Sequence, residues 1–489
     1  MNAGLSVSEL AQVRKQLLAE PAAPKDVTTS VSRSGVAVLI SCLGWTFLGT
    51  ALFFTLYALL ARDQNPTGTL IAAYISGLVG VLVSSLWLRN LSGFGMFLLA
   101  IMTAYSMRVL VGVFLCLQVY NPNYLDGDGK YLNKNWEFRW TYQNVMVAAD
   151  SVLHKGEWRP SKIYPTYEDK NAYIHAWMGY FMAAGDSRNS LDLGPFNAFH
   201  HVIAGILVVS LALACGYPLK VAFQSGVLVS WIPWAFASSI MWRDSVGLAW
   251  VVLAVVLLCL GRELGLIASL LSAIPAAFLA WADRSPYLLA VVLITGLSIV
   301  YDQQKSLQST WTKLPRLIIV SILLFVGVYL LWHNIASVAF ERHAKIVTDR
   351  NMSFRLMTSP LLVLRALAGP FPWFVGSKYD PYVLFDYLFH VFQFAIFLIY
   401  IRKWRSIMSN INILTYSAAI FWFFGFIAGG VHTAYLVVAT PFVLPPVLNT
   451  GATLWKYVLL SALFFAAANV LYVSVGLVGS GLVLGTTGY

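Results

Sequence analysis

The sequence predicts an all-α membrane protein, a polytopic bundle of about 13 transmembrane helices with two large outer segments that contain interface helices. Of its 489 residues, 59% are hydrophobic and only 11% are charged, and the mean hydropathy is +0.72. Soluble domains carry roughly 25% charged residues, so this balance indicates a membrane protein. The apolar runs at 35–61, 68–88 and 93–120 are each long enough to cross a hydrocarbon core, which takes about 20 helical residues. Further candidate spans, some of them shorter, lie at 197–215, 219–240, 245–260, 265–281, 286–301, 317–336, 384–401, 410–430, 434–448 and 453–478.

The net charge of +11 could indicate either nucleic-acid binding or a topological bias, and its distribution favours the bias. If the N-terminus lies in the cytoplasm, the short inner loops carry Arg89, Lys220, Arg262, Lys305, Lys313, Arg316, Arg402, Lys403, Arg405 and Lys456. The short outer turns carry only Arg62, Arg243 and Arg284. This asymmetry follows the positive-inside rule, so we expect a multi-pass protein with a cytoplasmic N-terminus and no nucleic-acid partner.

The predicted spans divide the chain into six parts. They are a cytoplasmic N-terminal tail at 1–34, three transmembrane helices at 35–120, an outer loop with interface helices and an acidic motif at 121–196, six transmembrane helices at 197–336, an outer basic segment at 337–383, and four transmembrane helices with the C-terminus at 384–489. In the outer loop, apolar and aromatic residues recur at near-helical spacing over 136–156 and 171–185. We expect these two helices to lie along the membrane plane and to form a lid or vestibule.

Two acidic sites are predicted on the outer side. Asp126 and Asp128 occupy a glycine-spaced turn, "LDGDGKYL", directly after the third span. Asp-Gly pairs are common in turns, so this motif has a structural explanation as well as a chemical one. Asp244 follows Arg243 in another outer turn, where the two could simply neutralise each other. If the two sites converge, they supply a general base for an incoming hydroxyl and a group that orients it.

Several cations are candidates for binding an anionic substrate. Arg108 lies within the third span and should face the bundle interior or a wet cavity, where an acidic residue such as Asp126 or Asp244 could neutralise it. The outer basic segment carries Arg342, His343, Lys345, Arg350, Arg355 and Arg365. These side chains could form a phosphate or pyrophosphate site, or they could contact lipid headgroups. His432, in a short outer turn, is either a binding residue or a hydrogen-bonded structural histidine.

Three short motifs resemble those of GT-C-type membrane glycosyltransferases and of polymerase-like membrane proteins of bacterial surface-polysaccharide assembly. They are "LDGDGKYL", "WIPWAFASSIMWRDS" and "AGPFPWFV". The second is similar to a P-x-x-x-W-S-S-x-x-x-K-D-S turn, with Arg243 in place of the lysine. Two features depart from the family pattern, because the acidic loop follows the third span instead of the first, and "HTAYLVVATP" has Ala434 where an arginine is expected.

The resemblance implies a GT-C-like fold in a bacterial inner (cytoplasmic) membrane and a role in O-antigen, capsule or related glycoconjugate assembly. The donor would be a sugar or oligosaccharide linked to undecaprenyl phosphate or another polyprenyl (di)phosphate, and the acceptor a glycan or lipid. Asp126 or, preferably, Asp128 would be the catalytic base, Asp244 a second acidic residue, and the outer arginines ligands of the lipid phosphate. Tyr131 and Trp373 lie on aromatic outer loops that suit sugar stacking or an interfacial belt.

Two other function classes remain open. A transporter or flippase of a lipid-linked or anionic solute would line its path with the same charges, although no internal repeat is evident and the charges concentrate in the outer segments. A non-catalytic membrane scaffold of a polysaccharide complex is the third class. The sequence has no P-loop, dinucleotide fingerprint, zinc motif or Gly-x-Ser-x-Gly elbow, so it predicts no certain cofactor. A divalent metal beside the acidic residues is left open.

Overall fold

The computed structural model describes residues 35–115, 117, 136–164, 172–233, 243–305, 381–429 and 434–474. Throughout these ranges the regular structure is helical and no strand occurs. The helices are α1 Gly35–Leu60, α2 Pro66–Ser85, α3 Phe94–Phe114, α4 Trp136–Lys155, α5 Pro160–Ile163, α6 Ala172–Ala184, α7 Leu193–Ala214, α8 Leu219–Ser230, α9 Asp244–Leu264, α10 Leu266–Asp283, α11 Ser285–Lys305, α12 Pro381–Arg402, α13 Trp404–Met408, α14 Ile413–Gly429, α15 Ala434–Val437, α16 Thr440–Asn449 and α17 Leu454–Ser474. Short 3-10 turns lie at Leu86–Leu88 and Ser190–Asp192.

The chain is a helical membrane protein. Within the described ranges, six helices are long and apolar enough to cross a membrane: Gly35–Leu60, Pro66–Leu88, Phe94–Phe114, Ser190–Ala214, Asp244–Leu264 and Leu266–Asp283. Shorter apolar helices occupy Leu219–Ser230, Tyr287–Ile299, Tyr387–Arg402 and Ile413–Trp422, and α16 meets α17 at a bend of 120°. The predicted span at 317–336 lies outside the described residues. The count of thirteen spans therefore stays a prediction.

Helix α7 is the buried centre of the bundle, and small residues let its neighbours approach closely. A methyl group on Gly80 of α2 would come within 2.8 Å of the Phe199 ring on α7. On the other side, a methyl on Gly205 would lie 2.6 Å from the Gly226 carbonyl oxygen of α8. Close backbone packing of this kind is a main source of helix association in lipid. The α7 side chains, including those of His200 and His201, are therefore buried among the helices that the structure describes.

Helix α8, Leu219–Ser230, covers the first part of the span expected over 219–240, of which residues 234–240 lie outside the described residues. Its 12 residues extend about 18 Å at 1.5 Å per residue, well short of the roughly 30 Å hydrocarbon thickness. Lipid cannot hydrogen-bond the last carbonyls of a helix, so they must be satisfied by protein groups. The Arg108 side chain of α3 and the His201 side chain of α7 both donate to carbonyls at this end. The helix can therefore stop at this depth without leaving them unpaired.

The aromatic face expected on the second outer-loop helix packs against the bundle. In α6, the Phe181 ring stacks on Tyr57 of α1 with ring centroids 4.1 Å apart. Tyr173 makes edge contacts with Phe278 and Trp281 of α10. These contacts, together with packing against α4, dock α6 across the ends of α1, α7 and α10. The proposed orientation of α4 and α6 along the membrane plane stays a prediction.

Candidate functional site

Charged residues converge where α9 begins and α10 ends. Helices α9 and α10 pair along their lengths and are joined at Gly265, so the start of α9 lies beside the end of α10. This brings together residues that are about 40 positions apart in the chain. The group consists of Arg243, Asp244, Asp283 and Arg284 with His175 from α6. We call it the outer charge cluster, after the side of the membrane that the sequence predicts for it.

Asp244 is paired with Arg284. An Arg284 Nη2 donates to the Asp244 Oδ1 at 2.7 Å, and the two side chains are 14% and 13% exposed. The alternative in which Asp244 is neutralised by its sequence neighbour Arg243 is therefore wrong, because the observed ion pair joins α9 to the end of α10. Breaking a mostly buried pair leaves one charge uncompensated, so this contact should hold both side chains in fixed positions.

Asp283 is a buried carboxylate that sequence analysis missed. Its side chain is 2% exposed and lies directly against the backbone of α9 at Gly247. A methyl group at position 247 would come 2.3 Å from Asp283 Oδ1 and 2.5 Å from its Cγ. Glycine at this position is thus what allows the carboxylate to reach α9. The available signal was the Asp283–Arg284 dipeptide, in a predicted outer turn, which has the residue types of Arg243–Asp244 in reverse order.

His175 brings α6 into the cluster. The ring is completely buried and lies within electrostatic reach of Arg243. Burial lowers the pKa of His175 well below its ordinary value, and the positive charge of Arg243 acts in the same direction. His175 is therefore neutral at pH 7 and can be hydrogen-bonded as either donor or acceptor.

Arg108 donates hydrogen bonds to the main chain at the C-terminal end of α8. Its Nε and Nη2 donate to the Ser230 carbonyl oxygen at 2.8 and 2.6 Å, and Nη2 also donates to the Ile232 carbonyl at 3.1 Å. Of the two acidic partners suggested for it, Asp244 pairs with Arg284 instead, and Asp126 lies outside the described residues. The side chain is 1% exposed, so its interactions are with the protein interior, as expected for an intramembrane arginine.

The two adjacent histidines of α7 contact different helices. His200 Nδ1 is 2.9 Å from the Phe196 carbonyl oxygen, and the Trp177 indole of α6 donates to His200 Nε2 at 2.8 Å. His201 Nε2 lies 2.9 Å from the Val229 carbonyl oxygen of α8. His201 Nδ1 is 3.5 Å from the Ser245 hydroxyl of α9. Position 201 therefore joins the end of α8 to the start of α9, close to the outer charge cluster.

A second buried carboxylate, Asp192, ties the segment before α7 to α1. Tyr57 and Ser187 donate to its Oδ2 at 2.8 and 2.6 Å, and Asn189 donates to Oδ1 at 3.0 Å. Asn189 also donates to the Pro66 carbonyl oxygen of α2 at 2.7 Å. These neutral donors satisfy the carboxylate, so we interpret Asp192 as a structural link. Its position directly before an apolar run was the only signal in the sequence.

Three of the fourteen predicted site residues lie in the part of the chain that the structure describes. Outside the described residues lie Asp126, Asp128, Tyr131, Arg342, His343, Lys345, Arg350, Arg355, Arg365, Trp373 and His432. Of the predicted site residues, Arg108, Arg243 and Asp244 are described. The structure brings Asp244 and Arg243 into one cluster, whereas Arg108 binds the end of α8.

Across the ranges that the structure describes, no group of three or more His, Cys, Asp or Glu side chains is arranged to hold a metal ion. Comparison with protein-family models, curated proteins and solved structures finds no match to this chain.

Proposed function

We propose that this protein is a membrane glycosyltransferase that takes a sugar or oligosaccharide from a polyprenyl-(di)phosphate donor. The outer charge cluster is the observation that carries the proposal. Its two arginines, two carboxylates and neutral histidine meet at one end of an otherwise apolar bundle. Ionisable groups are expensive at membrane depth, and they are found there chiefly where they bind a substrate or each other.

The cluster has the charges that this chemistry needs. The phosphate of a lipid-linked donor would meet Arg243, because arginine forks bind phosphate oxygens in two-point contacts. Arg284 is held by Asp244 and would stabilise the charge that develops on the leaving phosphate. The predicted base, Asp128 or Asp126, would take the proton of the acceptor hydroxyl as that hydroxyl attacks the anomeric carbon. In this scheme Asp244 positions Arg284 and does not itself carry the proton.

The position of helix α6 is consistent with a site from which water is excluded. It contributes His175 to the cluster, and its Trp177 and Phe181 are anchored on α7 and α1. Excluding water strengthens electrostatic interactions with a developing charge and prevents hydrolysis of the donor. The acceptor, a glycan or lipid, would approach from the predicted outer side.

The test is sugar transfer by the purified protein in nanodiscs, with a radiolabelled polyprenyl-diphosphate sugar and a mixture of glycan acceptors. We expect Asp128→Asn or Asp126→Asn to abolish transfer if that residue is the base. Asp244→Asn should lower kcat by up to about 10²- to 10³-fold, the range for losing one electrostatic contact to the transition state, because Arg284 would lose the carboxylate that positions it.

Asp150→Asn is the matched control, because Asp150 lies on α4 and pairs with the exposed Arg188 at 2.8 Å. This variant should keep wild-type turnover. The proposal is contradicted if the three site variants fold and transfer sugar as fast as Asp150→Asn, or if the wild type forms no glycosidic product.

Transport of a lipid-linked or anionic solute is a second candidate, and one observation favours it. Helix α8 stops inside the bundle at Ser230, and interrupted helices at mid-membrane are typical of transporter binding sites. A transporter would move the labelled donor across sealed vesicles without covalent change. That outcome, with Asp244→Asn blocking the flux, would replace the glycosyltransferase proposal.

A further inference from the structure

We propose that Ser245 and His201 form a nucleophile–base pair for acyl transfer, a chemistry separate from the proposed glycosyl transfer. The Ser245 hydroxyl of α9 lies 3.5 Å from His201 Nδ1 of α7. Hydrogen bonds between a nucleophile and its base are often this long before substrate binds. The two residues lie 44 positions apart in the chain, so only the fold brings them together.

The backbone of α8 sets the tautomer of the histidine. His201 Nε2 faces the Val229 carbonyl oxygen at 2.9 Å, and a carbonyl can only accept, so Nε2 must carry the hydrogen. In the neutral ring, Nδ1 then has the lone pair and must accept from the Ser245 hydroxyl. This is the arrangement that a general base needs, with a main-chain carbonyl in the orienting position that a carboxylate occupies in other triads.

The start of α9 supplies an electrostatic site beside the serine. Ser245 is the second residue of this 21-residue helix, and Arg243 at the N-cap makes no side-chain cap bond. The first N–H groups of an α-helix have no partner within the helix, and they favour negative charge. An oxyanion formed next to the serine would meet these N–H groups, as in acyl-transfer enzymes.

The reaction we infer has two balanced steps. Ser245 Oγ attacks the carbonyl carbon of an ester or thioester, and its proton passes to His201 Nδ1. The C–O or C–S bond breaks, the alcohol or thiol leaves with that proton, and an acyl-serine remains. An acceptor hydroxyl, or water, then attacks the acyl carbon and gives its proton to His201 Nδ1. The bond between the acyl carbon and Ser245 Oγ breaks, His201 returns the proton to Oγ, and the product ester or acid forms.

Burial restricts the substrate to an acyl donor with a small reactive end. Ser245 and His201 are 2% and 1% exposed, and most of the neighbouring residues of α7 and α9 are apolar. Asp244 nevertheless precedes the serine, and the charge of Arg108 lies within electrostatic reach of His201. An acyl chain is compatible with such walls, whereas a second charged group would pay a large desolvation cost. Low water access also protects an acyl-enzyme from hydrolysis.

The test uses a short-chain alkyl fluorophosphonate on the protein in nanodiscs. Attack by Ser245 Oγ on phosphorus forms an O–P bond and expels fluoride, and the serine proton leaves through His201. We expect one label per chain, mapped to Ser245 by mass spectrometry, and no label in Ser245→Ala. In His201→Gln the amide can still donate to Val229, but the base is lost, so labelling should slow by about 10²- to 10⁴-fold.

Ser210→Ala is the matched control, since Ser210 is a buried serine of α7 that donates to the Leu207 carbonyl oxygen at 2.7 Å. It should label at the wild-type rate. A folded wild type that takes no label, or equal labelling of the Ser245→Ala or His201→Gln variants, would overturn the pair. Labelling requires no sugar donor, so this result stands independently of whether glycosyl transfer is found.

Discussion

Replacing Arg108 by methionine tests whether this arginine stabilises the C-terminal end of α8. Methionine has a similar length and no donors, so the Ser230 and Ile232 carbonyls would lose the three hydrogen bonds that Arg108 gives them. A buried polar group left without its partner costs about 1–3 kcal/mol, or roughly 2–6 kcal/mol for two carbonyls. Removing a buried charge recovers part of this, so we expect a net loss of about 2–4 kcal/mol.

Lysine at the same position separates charge from geometry. Its ammonium is a single point on a flexible stem and can reach one carbonyl more readily than both. We therefore expect Arg108→Lys to lose roughly half as much stability as Arg108→Met, about 1–2 kcal/mol, because one carbonyl keeps its donor.

The free energy of unfolding can be measured in bicelles by steric trapping with two biotinylated sites. Hydrogen exchange of the amides in α8 provides a local readout and should accelerate near Ser230. Arg89→Met is the matched control, because Arg89 is exposed and its loss should change stability by less than about 0.5 kcal/mol. Equal destabilisation by Arg89→Met and Arg108→Met, with unchanged exchange in α8, would refute the capping argument.

Two further predictions concern the outer charge cluster. Gly247→Ala should destabilise the protein by about 1–3 kcal/mol, because its methyl group overlaps the Asp283 carboxylate. Gly44→Ala is the control and should not destabilise the protein, because there is open space around Gly44. Equal effects of the two substitutions in thermal unfolding would contradict the predicted overlap. For His175, the folded-state pKa is depressed, so below about pH 6.5 the unfolded chain binds a proton that the folded chain does not. The free energy of unfolding should then fall on acidification by up to about 1.4 kcal/mol per pH unit. His175→Gln should reduce this pH dependence, measured by thermal unfolding between pH 7 and pH 5. An unchanged pH dependence in the variant would show that His175 does not cause it.

Sequence patterns were sufficient to predict the helical membrane class, because a run of apolar residues that spans lipid has almost no alternative structure. They also singled out Arg243 and Asp244, whose outer location stays a prediction. They could not identify Arg284 as the partner of Asp244, or Asp283 as a neighbour, because those contacts depend on how α9 and α10 pair. No local spacing rule connects residues on opposite sides of such a hairpin.

The end of α8 was missed for a related reason. Apolar residues continue past Ser230, so hydropathy gives no sign that the helix stops there. Arg108 was expected to face the bundle interior or a wet cavity, and it is buried. An acidic side chain was suggested as its partner, because a sequence does not show which main-chain carbonyls lie at a helix end. Backbone acceptors at a helix end become candidates only when the helix end is known.

The cap on α8 has a consequence for how the protein is made. Arg108 and Ser230 are separated by 122 residues, so at 5–20 residues per second the ribosome needs roughly 6–24 s to deliver the carbonyl after the arginine. During that interval α3 must enter the membrane with a guanidinium whose placement at a helix centre costs about 2.5–3.5 kcal/mol on insertion scales. The apolar residues of α3 must outweigh that cost until α8 arrives. Completion of this bundle is therefore also the step that stabilises one of its earliest helices.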